Sequence, residues 1–177
     1  MACAHARMRT VTFLRTFRVM SCAARGTLDP VIDAALCLVR LEAKTSRDAI
    51  SALAKVLLAR GLVRSTFEQA ALARERRSPT GLPFPGVAVA LPHAEPEHVV
   101  APGIAVATLK EPVKFRQMGS PSIELPVSLV VMPAFSAKEQ AGAGLSDLIE
   151  RLQDEALRTR LIEAGTAEAL AAALGGA

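Results

Sequence analysis

The sequence predicts an α/β domain built from a small mixed β-sheet flanked by helices. Three short apolar runs, at residues 87–91, 104–109 and 127–132, have the length of buried strands and are too short for helices. Residues 45–61, in contrast, repeat apolar side chains at helical spacing between a polar start and a glycine. At 177 residues and 51% hydrophobic content, the chain can fold as one domain around a sizeable core.

The first half of the domain is expected to place one strand before two helices. The strand falls within residues 28–43, and a short helix before it is left open. The Thr45-Ser46 pair supplies the cap of a first helix, which ends at Gly61. A Ser-Thr-Phe-Glu run at 65–68 predicts a capping box for a second helix that ends near residues 74–77.

The second half is expected to hold the remaining strands and the C-terminal helices. A turn at residues 118–121 separates the strands at 104–109 and 127–132, which are apolar nearly throughout and therefore buried on both faces. Glycines precede a helix that contains Leu145. Residues 157–162 continue this helix or form another, and Thr166 opens a last short helix.

Composition and charge argue against nucleic-acid binding. Aromatic residues make up only 3% of the chain, with no Trp or Tyr, which leaves little for base stacking. The formal net charge is +4, but residues 1–28 contain five arginines and no acidic residue. The positive charge therefore belongs to that segment, and we expect no nucleic acid among the partners.

Residues 1–27 are interpreted as a basic, disordered extension that precedes a domain at residues 28–174. A lipoprotein-like box ending at Cys22 and a transit peptide are the alternatives. The chain has three cysteines, Cys3, Cys22 and Cys37, which is an odd number, and none has C-x-x-C spacing. We therefore expect a reducing compartment and no structural disulfide. No apolar run approaches the roughly 18 to 20 residues of a membrane span, so a cytoplasmic protein is predicted.

Chemistry-bearing residues concentrate directly after the predicted strand at 87–91. The segment continues as Pro92, His93, Ala94, Glu95, Pro96, Glu97 and His98, and it holds two of the three histidines of the chain. The two prolines prevent a regular helix, so the cluster should lie on a rigid loop at the end of a strand. Strand ends are where α/β proteins present reactive groups.

His93 is the candidate nucleophile of this cluster. A neutral imidazole can carry a transferred group as a covalent intermediate, provided that a hydrogen bond to its other nitrogen fixes the tautomer. If the group is phosphoryl, cationic donors must meet the charge on its oxygens. Arg74 and His98 are the candidates, and the planar fork of arginine suits phosphate.

A resemblance to a known family rests on two segments, ARERRSPTGL at residues 73–82 and VAVALPH at residues 87–93. They are similar to the core of the fructose/mannitol-type IIA component of the bacterial phosphoenolpyruvate-dependent sugar phosphotransferase system. In that family Arg-Glu and Thr-Gly precede a strand that ends in Pro-His. His98 and the stretch at 113–119 are most similar to the galactitol-type branch, and the resemblance covers about residues 30–172.

The resemblance implies a mannitol-type IIA sandwich that acts as a phosphoryl relay. His93 would accept phosphate from the phosphorylated carrier protein HPr and pass it to a cysteine of a IIB component, which serves the IIC membrane permease. Arg74 would stabilise the phosphate, and no bound cofactor or metal is implied. The family usually carries a second histidine near Leu145, where this chain has QAGAG at residues 140–144. We hypothesise that His98 takes its role.

Three other interpretations remain at this point. The first is a metal site formed by His93, Glu95, Glu97 and His98, which are suitable ligand types although their spacing matches no helical metal motif. The second is a nitrogen-type regulatory IIA protein that acts through its phosphorylation state. The third is a protein that keeps the fold and has lost the activity.

Overall fold

The computed structural model describes residues 32–176, except for the side chains of Glu139 and Gln140. The expected extension and its boundary at residue 28 lie outside the described residues. The strands are β1 (Cys37–Leu41), β2 (Gly81–Leu82), β3 (Ala88–Ala90), β4 (Gly103–Gln117) and β5 (Ser120–Ala134). The helices are α1 (Ser46–Ala59), α2 (Phe67–Arg77), α3 (Lys138–Arg151), α4 (Glu155–Glu163) and α5 (Ala167–Gly175).

The five strands form one mixed sheet. β4 pairs in parallel with β1 on one side and in antiparallel fashion with β5 on the other. β5 continues to β3 in parallel, and β3 continues to β2 in antiparallel fashion. A bridge between Gly81 and Gln117 returns β2 to the end of β4. The pairings β4–β5–β3–β2 therefore form a closed ring, with β1 added outside it.

Helices cover both faces of the sheet, as the predicted sandwich requires. Successive side chains of a strand point to opposite faces. Ala105 and Ala107 of β4 accordingly pack with the buried faces of α1 and α2, whereas Ile104 and Val106 pack with the apolar side chains of α3, α4 and α5. The α/β class and the double-sided burial of the central strands are confirmed.

Several helix and strand limits follow local signals. A 3-10 turn at Ala34–Leu36 precedes β1, and Thr45 caps α1 in a reciprocal capping box with Asp48. The last helix begins after Thr166, whose hydroxyl accepts a hydrogen bond from the Ala169 amide. No helix within residues 32–176 has the length and apolar character needed to cross a membrane.

Three expectations about local structure were wrong. The strands at 104–109 and 127–132 and the turn between them are confirmed, but the expected lengths were wrong: the strands are arms of one hairpin with 15 residues each, because their largely exposed outer parts pair with each other. The glycines at 142 and 144 lie inside α3 and do not precede it. Thr66 lies at the start of α2 with helical backbone angles and makes no capping hydrogen bond, so the capping box at 65–68 does not form.

Arg158 ties the C-terminal helices to the loop that leads into β3. Its guanidinium is 1% exposed and donates hydrogen bonds to the carbonyl oxygens of Leu152, Gln153 and Pro85, at 2.8, 2.8 and 2.7 Å. It also lies 5.0 Å from the centre of the Phe84 ring. A cation at the C-terminal end of α3 is favoured by the helix dipole, so one side chain satisfies α3 and anchors the loop before β3.

We predict that Arg158→Met lowers the free energy of unfolding by about 3 kcal/mol, because three carbonyl groups lose their charged donor. Urea unfolding measures the change. Arg160→Met is the matched control, since Arg160 lies exposed on the same helix and should shift stability by less than about 0.5 kcal/mol. Equal stabilities of the two variants would contradict this account of Arg158.

Candidate functional site

His93 lies just past the end of β3. The strand is parallel to β5, so both strands end at the same edge of the sheet, and Leu91 and Pro92 lead from β3 into the loop. The Nδ1 atom of His93 lies 2.8 Å from the carbonyl oxygen of Leu91. Because a carbonyl oxygen can only accept, Nδ1 carries the proton in this bond. The neutral ring therefore keeps its free lone pair on Nε2.

Arg74 is brought next to His93 by the last turn of α2. Both residues line a pocket of about 180 Å³, whose other walls are Ala94, Glu95, Pro96, Pro133, Phe135, Ala141, Gly142 and Leu145. The Nε atom of Arg74 is buried without a hydrogen-bond partner and lies 4.0 Å from a carboxylate oxygen of Glu95. The pocket thus joins a half-buried nucleophilic ring to a guanidinium whose Nε donor is unused.

The environment of His93 favours its neutral form. Burial is the largest effect and lowers the pKa of the imidazole below its ordinary value of about 6.5. The positive charge of Arg74 lowers the pKa as well, while the bond to Leu91 and the carboxylate of Glu95 oppose these two effects. The ring is consequently available as an uncharged nitrogen nucleophile at neutral pH.

One wall of the pocket is apolar and comes from the end of β5 and the first turns of α3. Ala141, Gly142 and Leu145 line the pocket here, in the region where the family's second histidine was expected. Gly144 allows α3 to lie close to this wall, because a Cβ atom at this position would come within 2.6 Å of the Phe135 ring. No sequence motif marks Phe135 and Pro133 as site residues, although the parallel pairing of β3 and β5 places the ends of both strands together.

His98 lies elsewhere, at the opposite end of α2. Its Nδ1 atom is 2.9 Å from the hydroxyl oxygen of Thr66, and its Nε2 atom is 3.5 Å from a carboxylate oxygen of Glu97. Thr66 and Arg74 are eight residues apart, which corresponds to about 12 Å along a helix. His98 is not among the residues that line the pocket. The structure thus brings His93 and Arg74 together and places His98 against Thr66.

The metal site expected as an alternative does not form in the part of the chain that is described. Across residues 32–176, no group of three or more His, Cys, Asp or Glu side chains converges as metal ligands would. The reason is the short 3-10 turn at Pro96–His98, which directs His98 to Thr66 while His93 lines the pocket. In the described part of the chain, these four residues therefore do not converge on one site.

Comparisons with known proteins agree with the fold. The chain matches the family model described as "Phosphoenolpyruvate-dependent sugar phosphotransferase system, EIIA 2" over residues 31–175. It is 35% identical over 133 residues to the 2-O-alpha-mannosyl-D-glycerate-specific EIIABC component of Escherichia coli. The matched region covers 73% of this chain and 20% of that protein. It is 30% identical over 119 residues to the ascorbate-specific EIIA component of Shigella boydii, covering 66% of this chain and 74% of that protein.

A galactitol-specific EIIA component of Escherichia coli is 32% identical over 106 residues, covering 60% of this chain and 70% of that protein. Among solved structures, the crystal structure of IIA mannitol from Escherichia coli superposes with a TM-score of 0.65 at 25% identity, covering 81% of this chain and 98% of that one. The chain belongs to the EIIA type 2 family of the phosphoenolpyruvate-dependent sugar phosphotransferase system. Its relatives differ in the sugar named, and it spans only a fifth of the mannosylglycerate protein.

We predict that His93 titrates below about pH 6.5 and that Arg74→Met moves its pKa upward, though not fully, because burial remains. Since the folded pKa is depressed, the unfolded chain binds the proton first as the pH falls. The stability that His93 contributes is complete above about pH 6.5 and is lost as the pH falls from there through the folded pKa. NMR titration of the ring measures the pKa, with His93→Gln assigning the resonance. A wild-type midpoint at or above 6.5 would contradict the argument.

Proposed function

We propose that this chain is the IIA component of a sugar phosphotransferase system and carries phosphate on Nε2 of His93. The observation that carries the proposal is the juxtaposition of a histidine with a fixed Nδ1–H tautomer and a guanidinium with an unused Nε donor in one pocket. Phospho-HPr would be the donor, and a cysteine of a IIB component would be the acceptor. The IIC permease would take part only indirectly.

The proposed transfer needs no proton acceptor. The Nε2 lone pair attacks the phosphorus of the donor phosphohistidine in line, so that one P–N bond forms as the other breaks. The donor ring, protonated on its other nitrogen, leaves as a neutral imidazole. Nδ1 keeps its proton throughout, and its hydrogen bond to the Leu91 carbonyl oxygen stabilises the positive charge that develops on the ring. Arg74 meets the negative charge of the phosphoryl oxygens. The second step repeats this chemistry with a cysteine thiolate as the nucleophile.

Transport is the role that the relatives support. Those reported above are named as components specific for mannosylglycerate, ascorbate and galactitol, at 30 to 35% identity. We propose uptake of a sugar or sugar alcohol, with galactitol-like substrates as the first class to test. The pocket of about 180 Å³ faces a phosphoryl group in this mechanism and does not contact the sugar. A regulatory IIA protein would accept the same phosphate and would keep it in the presence of the cognate IIB component.

We predict that incubation with phosphoenolpyruvate, enzyme I and HPr adds one acid-labile phosphate to the wild-type chain and none to His93→Ala. Intact mass before and after acid treatment measures it. Arg74→Met should slow the transfer on the order of 100-fold, because a charged donor to the phosphoryl oxygens is lost. Arg76→Met is the matched control, since Arg76 lies on the same turn and lines a different cavity. An unmodified wild-type chain beside phosphorylated HPr would overturn the proposal.

A separate experiment tests whether His98 shares in holding the phosphate. Its hydrogen bond to Thr66 places it outside the pocket, so we predict that His98→Asn changes the transfer rate by less than about twofold while lowering stability by about 1 kcal/mol. Thr66→Val, which removes the partner hydroxyl, should lower stability to a similar extent. A strong loss of transfer in His98→Asn alone would instead assign His98 to phosphate stabilisation.

A further inference from the structure

Glu75 is a buried carboxylate that the proposed phosphoryl transfer does not use. It follows Arg74 on the last turn of α2 and is only 9% exposed. Burial raises its pKa, whereas hydrogen bonds from Thr80 and the charge of Arg74 oppose that rise. An acidic side chain is costly to bury unless its oxygens are paired. Its partners therefore indicate what it does.

Both oxygens of Glu75 are taken up by Thr80. The Thr80 backbone amide donates to Oε1 at 3.2 Å, and the Thr80 hydroxyl donates to Oε2 at 2.7 Å. Thr80 is itself only 2% exposed and lies just before β2. The carboxylate thus holds this residue from the side of the helix through two hydrogen bonds to a charged acceptor, which are stronger than neutral ones.

Thr80 is also one step away from the carbonyl group that orients His93. Its carbonyl oxygen accepts a hydrogen bond from the Leu91 amide at 3.3 Å, which extends the ladder between β2 and β3. The carbonyl oxygen of Leu91 in turn accepts from His93 Nδ1 at 2.8 Å. A continuous series of hydrogen bonds therefore runs from Glu75 through Thr80 and Leu91 to the imidazole.

The far side of Thr80 is fixed by close packing. Gly81 lies against β4, where an added Cβ atom would be 2.6 Å from the Arg116 carbonyl oxygen. The Gly81 carbonyl oxygen accepts from the Met118 amide at 2.8 Å. The contact of Gly81 with β4 therefore fixes Thr80 from one side. The hydrogen bonds to Glu75 on α2 fix it from the other side.

We propose that Glu75 is a positioning residue for His93, which acts through Thr80 to hold the Leu91 carbonyl where it binds the Nδ1 proton. Glu75 touches neither the ring nor the phosphate. It selects the tautomer whose free lone pair is on Nε2. The kinetic consequence rests on the proposed phosphoryl transfer, whereas the tautomer is a property of the resting protein and is measured without any donor.

The experiment compares four variants by nitrogen NMR of the His93 ring at about pH 8, where the ring is neutral. Glu75→Ala removes both acceptors, and Thr80→Val removes only the hydroxyl donor. Glu75→Gln keeps an acceptor for the amide and a partner for the hydroxyl, so it tests rescue. Thr108→Val is the matched control, because Thr108 is a buried threonine whose hydroxyl accepts from the Arg40 amide in another part of the same sheet.

We expect Glu75→Ala and Thr80→Val to shift the tautomer ratio toward Nε2–H by roughly three- to tenfold, the effect of weakening one hydrogen bond. The maximal rate of phosphorylation should fall in proportion to the remaining fraction of the Nδ1–H tautomer, with an unchanged KM for phospho-HPr. Glu75→Gln and Thr108→Val should keep the wild-type tautomer, although Thr108→Val is less stable.

If Thr80→Val folds and keeps the wild-type tautomer ratio of His93, the proposal is overturned, even if Glu75→Ala does not fold. The wild-type chain could also accept no phosphate while the tautomer of the variants shifts as expected. That result would contradict the proposed function and leave the positioning role of Glu75 in place.

Discussion

The site depends on the two-sided pairing of β3, a strand of only three residues. So short a segment has few hydrogen bonds of its own, and β5 and β2 supply its order from either side. The return of β2 to β4 closes the ring and prevents β2 from moving away with β3. Arg158 fixes the loop that enters β3, and Thr80 fixes the residue that leaves it. His93 is therefore held by backbone on a packed scaffold, as preorganised chemistry requires.

One charged group has two effects in the pocket. Arg74 favours the neutral state of His93 before transfer, because it disfavours a second positive charge nearby. In the proposed mechanism the same guanidinium attracts the phosphoryl group once it arrives. The apolar wall formed by Pro133, Phe135 and Leu145 lowers the local dielectric response and strengthens both effects. Glu95 competes for Arg74 from the exposed rim, at 4.0 Å from its Nε atom.

The motif series led to the prediction that Arg74 and His93 belong to one site, and both residues line the same pocket. The sequence also predicted the layers, since runs of branched and small apolar residues allow burial on both faces.

The features that the sequence could not predict depend on contacts between residues distant in sequence. The outer arms of β4 and β5 are largely exposed and are strands only because they pair with each other. Glycine is unfavourable in helices, and at Gly144 close packing against Phe135 outweighs that preference. The local sequence around Thr66 is typical of a helix cap, but the Thr66 hydroxyl forms a hydrogen bond with His98.

Closure of the ring leaves β1 as the strand with an unpaired edge among residues 32–176. Such an edge invites a strand from another molecule, which is a common route to aggregation. Within β1, Arg40 has a φ of 53° in the left-handed region, its amide donates to the Thr108 hydroxyl, and the register with β4 shifts between Leu38 and Leu41. A charged, kinked residue of this kind interrupts the flat hydrogen-bonding row that an incoming strand would need. The distortion of β1 thus disfavours edge-to-edge pairing at this strand, while the opposite end of the sheet stays regular enough to hold His93.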